Sequence, residues 1–265
     1  MSPDGTASDP LVLAARHGRT LTLTLNRPDR LNAVSEELYT QLAARLREGA
    51  DDPEVRVVVL RGAGRAFCAG ADLKAHAATE RTPRQREAYA RLAADVIRTI
   101  ATIGTPVVAA VHGYAIGAGA ELAVAADFLV AAEDAVFSFP ELHLGTYVGG
   151  GVTVRLPQLV GLARARELLF TGRRFTGAEA AAWGLAHRAV PAGELAAATV
   201  ELTERLAAAA PVPTALMKAH LNHDAALAAA LEAEVEALVR CMGTADWAEG
   251  VAAFAQRRPP AFGGR

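Results

Sequence analysis

Hydrophobic and polar positions change period several times along this chain, and each change marks an element. Arg19 to Leu25, RTLTLTL, alternates Thr with Leu, which predicts a half-buried strand closed by the turn residues of NRPDR. From Ser35 to Ala50 the apolar residues Leu38, Leu42 and Leu46 recur at helical spacing. Ser35 and Glu36 serve as start signals and DDP as the stop. VRVVVLRGAGRAF is a continuous β-branched run, expected of a strand buried on both faces, that empties into a glycine-rich loop. Arg86 to Ile103 reads as a helix, and TPVVAAVHG repeats the strand-then-glycine theme before a second helix starting near Gly117. FLVAAEDAVFSFPE adds short strands. Beyond about Gly161 the pattern is almost wholly helical, most clearly over Glu194–Ala209 and Pro213–Cys241, where Ala-rich LAAALEAEVEALV favours helix by propensity alone. The prediction is an α/β core with a helical tail.

Composition narrows the function classes. With 265 residues and 52% hydrophobic content, the chain suffices for one substantial core. A formal net charge of -2, with Lys and Arg scattered, leaves no footprint for nucleic acid. Cys68 and Cys241 stand far apart without CxxC spacing, so neither a disulfide framework nor a Cys-ligated zinc site is expected, and a cytoplasmic setting fits. The start, MSPDGTASDP, reads as a frayed polar tail rather than a signal peptide. The apolar stretch Pro106–Ala126 is interrupted by His112, glycines and Glu121, so it predicts buried core and no membrane span.

The candidate chemistry centres on two glutamates in apolar surroundings, Glu121 in GAGAELAVAAD and Glu141 in FSFPELHLG. A carboxylate taken out of water is costly, so such residues are either structurally paired or reserved for proton transfer. The plainer readings are a first-turn glutamate favoured by the helix dipole and a surface carboxylate after Pro140. Two glycine clusters, RGAGRAFCAGADLK and HGYAIGAGAELA, follow predicted strands. In the first, Phe67 stands where a dinucleotide fingerprint needs its third glycine, which disfavours a Rossmann site. Such loops serve as ordinary turns, allow close helix-to-strand packing, or present backbone N–H groups to an oxyanion. His112 and His143 show no metal-ligating spacing, and there is no GxSxG elbow or P-loop. No metal is expected.

Taken together and in order, NRPDRLNA, GAGRAFCAGADLK, PVVAAVHGYAIGAGAELAVAAD, FPELHLG and RLPQLVG resemble the crotonase superfamily, specifically its enoyl-CoA hydratases and isomerases. DWAEGVAAFAQRRPPAFGGR resembles that family's ending, so the likeness spans nearly the whole chain. It implies an α/β fold: a crotonase-like spiral of repeated ββα units over residues 1–195 that carries the CoA-thioester site. A C-terminal helical region, residues 196–265, would be used in homotrimer or homohexamer assembly. It implies Glu121 and Glu141 as acid and base, and backbone N–H groups of Ala71 and Ala118 as oxyanion donors. CoA and substrate contacts are implied at Arg27, Arg30, Ala33, Asp72, Leu73, Lys74, Tyr147 and Gly149, and at Lys218, which would reach the CoA phosphates of its own or a neighbouring subunit. No cofactor is implied beyond the CoA carried in the acyl-CoA substrate.

The implied activity is reversible syn hydration of an enoyl-CoA. The alternatives are double-bond isomerisation, dehydration of a branched, cyclic or aromatic acyl-CoA, and a turnover-deficient acyl-CoA-binding or assembly protein. Three positions depart from the family pattern. Ala118 stands where Gly is usual, which a backbone donor tolerates only with φ and ψ suited to an L-residue. The usual PGxGGTQRL is VGGGVTVRL here, with Val148 for Pro and Val152 for Gly. With Tyr147 beside them, these changes predict a restricted or unusual acyl group.

Overall fold

The computed structural model describes residues 10–78, 81–222 and 225–264, so nine of the ten residues of the polar start lie outside it. Its strands are β1 (Val12–His17), β2 (Thr20–Leu25), β3 (Val57–Gly62), β4 (Val107–Val111), β5 (Tyr114–Ile116), β6 (Phe128–Ala132), β7 (Val136–Ser138), β8 (Phe175–Thr176) and β9 (Arg188–Val190). One sheet has the order β1-β2-β3-β4-β6-β9, antiparallel only between β1 and β2, and a smaller sheet has the order β5-β7-β8. The first strand was not legible in the sequence. VLAARH has no clean alternation, and its pairing, Val12 opposite Leu25 through His17 opposite Thr20, defines it instead.

The helices are α1 (Glu36–Asp51), α2 (Leu73–Ala78), α3 (Pro83–Thr102), α4 (Ala118–Ala125), α5 (Val152–Val160), α6 (Leu162–Thr171), α7 (Gly177–Ala182), α8 (Leu195–Ala207), α9 (Pro211–Asn222), α10 (Ala225–Cys241) and α11 (Ala245–Gln256). Helix α1 begins as expected: the Ser35 hydroxyl accepts from the Leu38 N–H at 3.2 Å, and Leu38, Leu42 and Leu46 form its fully buried stripe. Helix α3 starts three residues earlier than expected, because Thr82 and Gln85 close a reciprocal capping box. The stretch expected to be helical over Pro213–Cys241 is so in α9 and α10, the two residues between them lying outside those described.

The second half is almost wholly helical, as expected, apart from two short strands. RAV in β9 pairs in parallel with β6, and Phe175 in β8 opposes Phe137 of β7, their rings stacked at 5.3 Å. Strands this short carry too little pattern to be read without their partners. Pro106–Ala126 proves to be core: β4 is completely buried, β5 turns into the second sheet, and α4 is buried from Gly119 to Ala125. No helix among the described residues is long and apolar enough to cross a membrane.

Helix α8 covers β2, β3, β4 and β6, while α10 lies on α3 and α5. Helix α11 packs on α2 and on the short 3-10 helix Glu141–Leu144. The last two helices therefore close back over the segment from Glu141 to Val152.

Candidate active site

Sheet topology brings the two glycine clusters together. Cys68 bridges Ala115 and Val34 bridges Ala71, both in parallel, so the loop after β3 runs alongside the β5–α4 turn. In the second bridge Val34 donates to the Gly70 carbonyl at 2.8 Å and accepts from the Asp72 N–H at 3.1 Å. The intervening Ala71 N–H points the other way. Ala118 opens α4, where a first-turn N–H has no partner within its own helix. Among the described residues neither the Ala71 nor the Ala118 N–H donates to a protein acceptor, and both residues line a cavity of about 730 Å³. Ala118 has no positive φ, so an L-residue fits the position without strain.

Both glutamates enter this cavity. Glu121 sits in the first turn of α4, where its Oε1 accepts from the Gly149 N–H at 2.7 Å. Glu141 opens the 3-10 helix after Pro140, and its Oε2 is buried without any hydrogen-bond partner among the described residues. Both side chains are more than nine-tenths buried. Close backbone approach makes room for them. A Cβ on Gly117 would lie 2.6 Å from Glu141 Oε1, and one on Gly150 would lie 2.6 Å from Glu121 Cβ. Burial pushes Glu121 up to about 7, with Glu234 adding repulsion and the Gly149 N–H opposing it. Burial, then the charge of Glu121, holds Glu141 well above the usual carboxylate range. Burial thus favours the neutral form of both carboxyls.

Of the other residues singled out in the sequence, Arg30, Ala33, Asp72, Leu73, Lys74, Tyr147 and Gly149 line the same cavity. Arg27 does not. It lies behind the wall, pairing with Asp72 at 2.9 Å and donating to the Ala33 carbonyl. Burial pushes Asp72 up, but the hydrogen bond from Arg27 wins and holds it below the ordinary carboxylate value.

Lys218 is also elsewhere. Its buried ammonium pairs with Asp127 at 2.7 Å and donates to the Thr105 carbonyl at 2.9 Å, in a second cavity. In the same network Asn222 donates to the Ala101 carbonyl and to Asp127, tying α9 to the sheet. Lys218→Met removes the nearest counter-charge of Asp127, which keeps Arg155 in reach and hydrogen bonds from the Val107 N–H and Asn222, so it should cost about 1–3 kcal/mol of unfolding free energy in denaturant titration. An unchanged KM for acyl-CoA should accompany it, and a raised KM would return Lys218 to the substrate.

Val148 and Val152 are buried in the core rather than exposed to the cavity. Neither touches the cavity, so of the residues behind the expectation of an unusual acyl group only Tyr147, beside Gly149 and Gly150, lines it. His112 and His143 are held by the Gly64 and Thr171 carbonyls. Burial raises the Cys68 thiol to about 12, which leaves it protonated and inert.

Sequence reasoning missed several cavity residues. Glu234 on α10 is buried, and its two oxygens accept from the Gly151 N–H at 2.7 Å, the Thr153 N–H at 3.0 Å and the Thr153 hydroxyl at 2.6 Å. It caps α5 from another helix, since the residue at the cap position, Gly151, has no side chain to do so. The signal was present: Glu234 falls on the buried stripe Leu227, Leu231, Val235, where a carboxylate is out of place. Tyr39, Tyr89, His76 and Trp247 complete the wall, brought there by α1, α3, α2 and α11.

Glu234→Gln puts an amide against one of the three donors and removes a charge that repels Glu121. The variant should lose about 1–3 kcal/mol of stability. The ionisation of Glu121 should move to lower pH, seen as an earlier acid limb in the rate profile, and an unmoved limb would remove Glu234 from the electrostatics of the site.

The mixed sheet with its covering helices is the crotonase fold of enoyl-CoA hydratase structures. A family model described as enoyl-CoA hydratase/isomerase matches residues 16–265. The chain is 36% identical over 261 residues to the 2,3-dehydroadipyl-CoA hydratase of Escherichia coli, covering 96% of this chain and 99% of that one. It is 33% identical over 250 residues to the short-chain-enoyl-CoA hydratase of Clostridium acetobutylicum, covering 93% and 95%. The crystal structure of an enoyl-CoA hydratase from Mycobacterium avium subsp. paratuberculosis superposes with a TM-score of 0.87 at 32% identity, covering 96% of this chain and 98% of that one. The chain belongs to the enoyl-CoA hydratase/isomerase family.

Proposed function

We propose that this protein is an enoyl-CoA hydratase that adds water reversibly and syn across the 2,3 double bond of a trans-2-enoyl-CoA. The observation that carries the reading is the convergence of two buried carboxylates on a cavity with two unengaged backbone N–H groups. Ionised Glu121, oriented by Gly149, takes a proton from water as its oxygen bonds to C3. The π electrons move into the thioester, and the resulting enolate oxygen is held by the Ala71 and Ala118 N–H groups. As the enolate collapses, protonated Glu141 supplies the hydrogen at C2. The net change is addition of one water, with a proton moved from Glu141 to Glu121. Exchange with solvent resets the pair.

Both steps are needed because an α-proton is weakly acidic and a lone carboxylate does not remove it without enolate stabilisation. An isomerase would need one carboxylate only, and this chain buries two. The chemistry calls for no metal or redox group. CoA would be held at the mouth by Arg30, Asp72, Leu73 and Lys74, with Ala33 and Tyr147 against the substrate. Residues Val212, Leu216, Met217 and Leu221 of α9 are all more than half exposed, which supports assembly of copies through this helical region. A solution mass of three or six times 27.6 kDa is expected from sedimentation.

The test of the activity is loss of the conjugated thioester absorbance with crotonyl-CoA in heavy-oxygen water. Hydration incorporates the label into the product, whereas isomerisation of a 3-enoyl-CoA does not. Binding of crotonyl-CoA with neither hydration nor α-proton exchange would leave an acyl-CoA-binding protein instead.

A further inference from the structure

The wall facing the two glutamates carries two tyrosines with nothing in the protein to bond. Tyr39 of α1 and Tyr89 of α3 are 3% and 6% exposed, their rings meet edge to face at 6.1 Å, and both line the cavity. Among the described residues neither hydroxyl makes a hydrogen bond. The fully enclosed side-chain atoms lacking partners are Arg56 Nε, Glu141 Oε2 and Thr146 Oγ1, and the tyrosine hydroxyls are not of that set, so they touch open volume. A buried tyrosine ordinarily finds a partner for its O–H. A wall built only for an alkyl chain would have phenylalanine here.

We propose that Tyr39 and Tyr89 form a polar subsite for the acyl group, and that the substrate is an enoyl-CoA whose acyl group carries a hydrogen-bonding oxygen beyond the thioester. This rests on the enoyl-thioester reading of the same cavity. Both tyrosines line the cavity that holds Glu121 and Glu141, and Tyr89 also borders a smaller one beside Glu36 and Arg81. The polar groups packed against Tyr89 are engaged elsewhere. Arg81 is engaged by Glu36 at 3.1 Å and by His76 Nδ1 at 3.0 Å, and lies over the Tyr89 ring. His76, packed against Tyr89 and Trp247 at 4.8 and 5.5 Å, is pushed down to about 4 by burial and by Arg81, and stays uncharged. A ketone or hydroxyl accepts from the phenols, whereas a plain alkyl chain strands both O–H groups away from water.

The experiment is binding of saturated thioesters, read by calorimetry on the full-length protein: hexanoyl-CoA against 4-oxohexanoyl-CoA and 5-oxohexanoyl-CoA. One of the oxo thioesters should bind about 10-fold tighter than hexanoyl-CoA to the wild type. That advantage should vanish in Tyr39→Phe/Tyr89→Phe, with hexanoyl-CoA bound as well or better. Each single variant, checked by thermal melting, should lose part of it. Equal binding of the three thioesters to the wild type overturns the proposal, as does an advantage that survives in the double variant. Because saturated thioesters are not turned over, failure to hydrate crotonyl-CoA would strike the hydratase reading alone.

Discussion

Replacing Glu141 with Gln is expected to lower hydration of crotonyl-CoA by about 10³-fold, and Glu121→Gln by a similar factor, with KM little changed. The acid and the base are separate groups here, and glutamine keeps the volume while exchanging no proton. Hydration needs Glu121 ionised and Glu141 protonated. The rate should therefore rise with pH through about 7 as Glu121 loses its proton, and fall at higher pH as Glu141 does. The two limbs belong to the pair, since each charge alters the other.

A second readout comes from stability. The folded-state value of Glu141 is raised, so the folded protein favours its neutral form. Stability on this account is complete below the unfolded value of 4.5 and is lost as pH rises through the folded value. Glu141→Gln should thus melt at the same temperature as wild type at about pH 4 and several degrees higher at about pH 9. A variant inactive yet no more stable under alkaline conditions would mean that Glu141 is not buried as a charge. Retained activity in either variant would refute the acid and base assignment.

The second large effect is expected at Gly117. Its φ of 52° and ψ of -121° belong to a region that L-residues rarely adopt, and a Cβ there would sit 2.6 Å from Glu141 Oε1. Its N–H donates to the Ser138 carbonyl and its carbonyl accepts from the Glu121 N–H, both at 2.9 Å. One backbone unit thereby fixes the strand that leads to Glu141 and the helix that carries Glu121 and Ala118. Gly117→Ala should cost about 1–3 kcal/mol of stability. It should also lower kcat by about 10²-fold through misplacement of these groups. Gly161→Ala is the control, with φ of 78° and nothing within 4 Å of the added Cβ. It should show comparable strain and normal kcat per folded molecule. Equal kcat in both variants would mean that Gly117 serves the fold and not the site.

How much of this was legible before folding depended on the range of the interaction. The helices α1 and α4, the buried strands β3 and β4, and the two glycine loops carry their signals within a dozen residues: period, cap and apolar run. Ordered motifs also led to Glu121 and Glu141, which sit in segments whose apolar character makes a carboxylate conspicuous. The short strands β8 and β9 and the hairpin strand β1 were not legible, because their pairing partners, rather than their own pattern, hold them in place.

The same distinction separates the residues of the site. Arg27 and Lys218 looked like free cations suited to phosphate, yet one is paired with Asp72 and the other buried against Asp127, partners 45 and 91 positions away in sequence. Val148 and Val152 looked like specificity positions, and the fold buries both in the core. The sequence by itself determined the family, the α/β class and the two glutamates, since these rest on local pattern and motif order. Only the tertiary structure decided which cations remain free, that Glu234 caps α5 across the cavity, and that Tyr39 and Tyr89 face the carboxylates. Those are consequences of α1, α3 and α10 packing over one space, and contact between distant helices leaves no period in the chain.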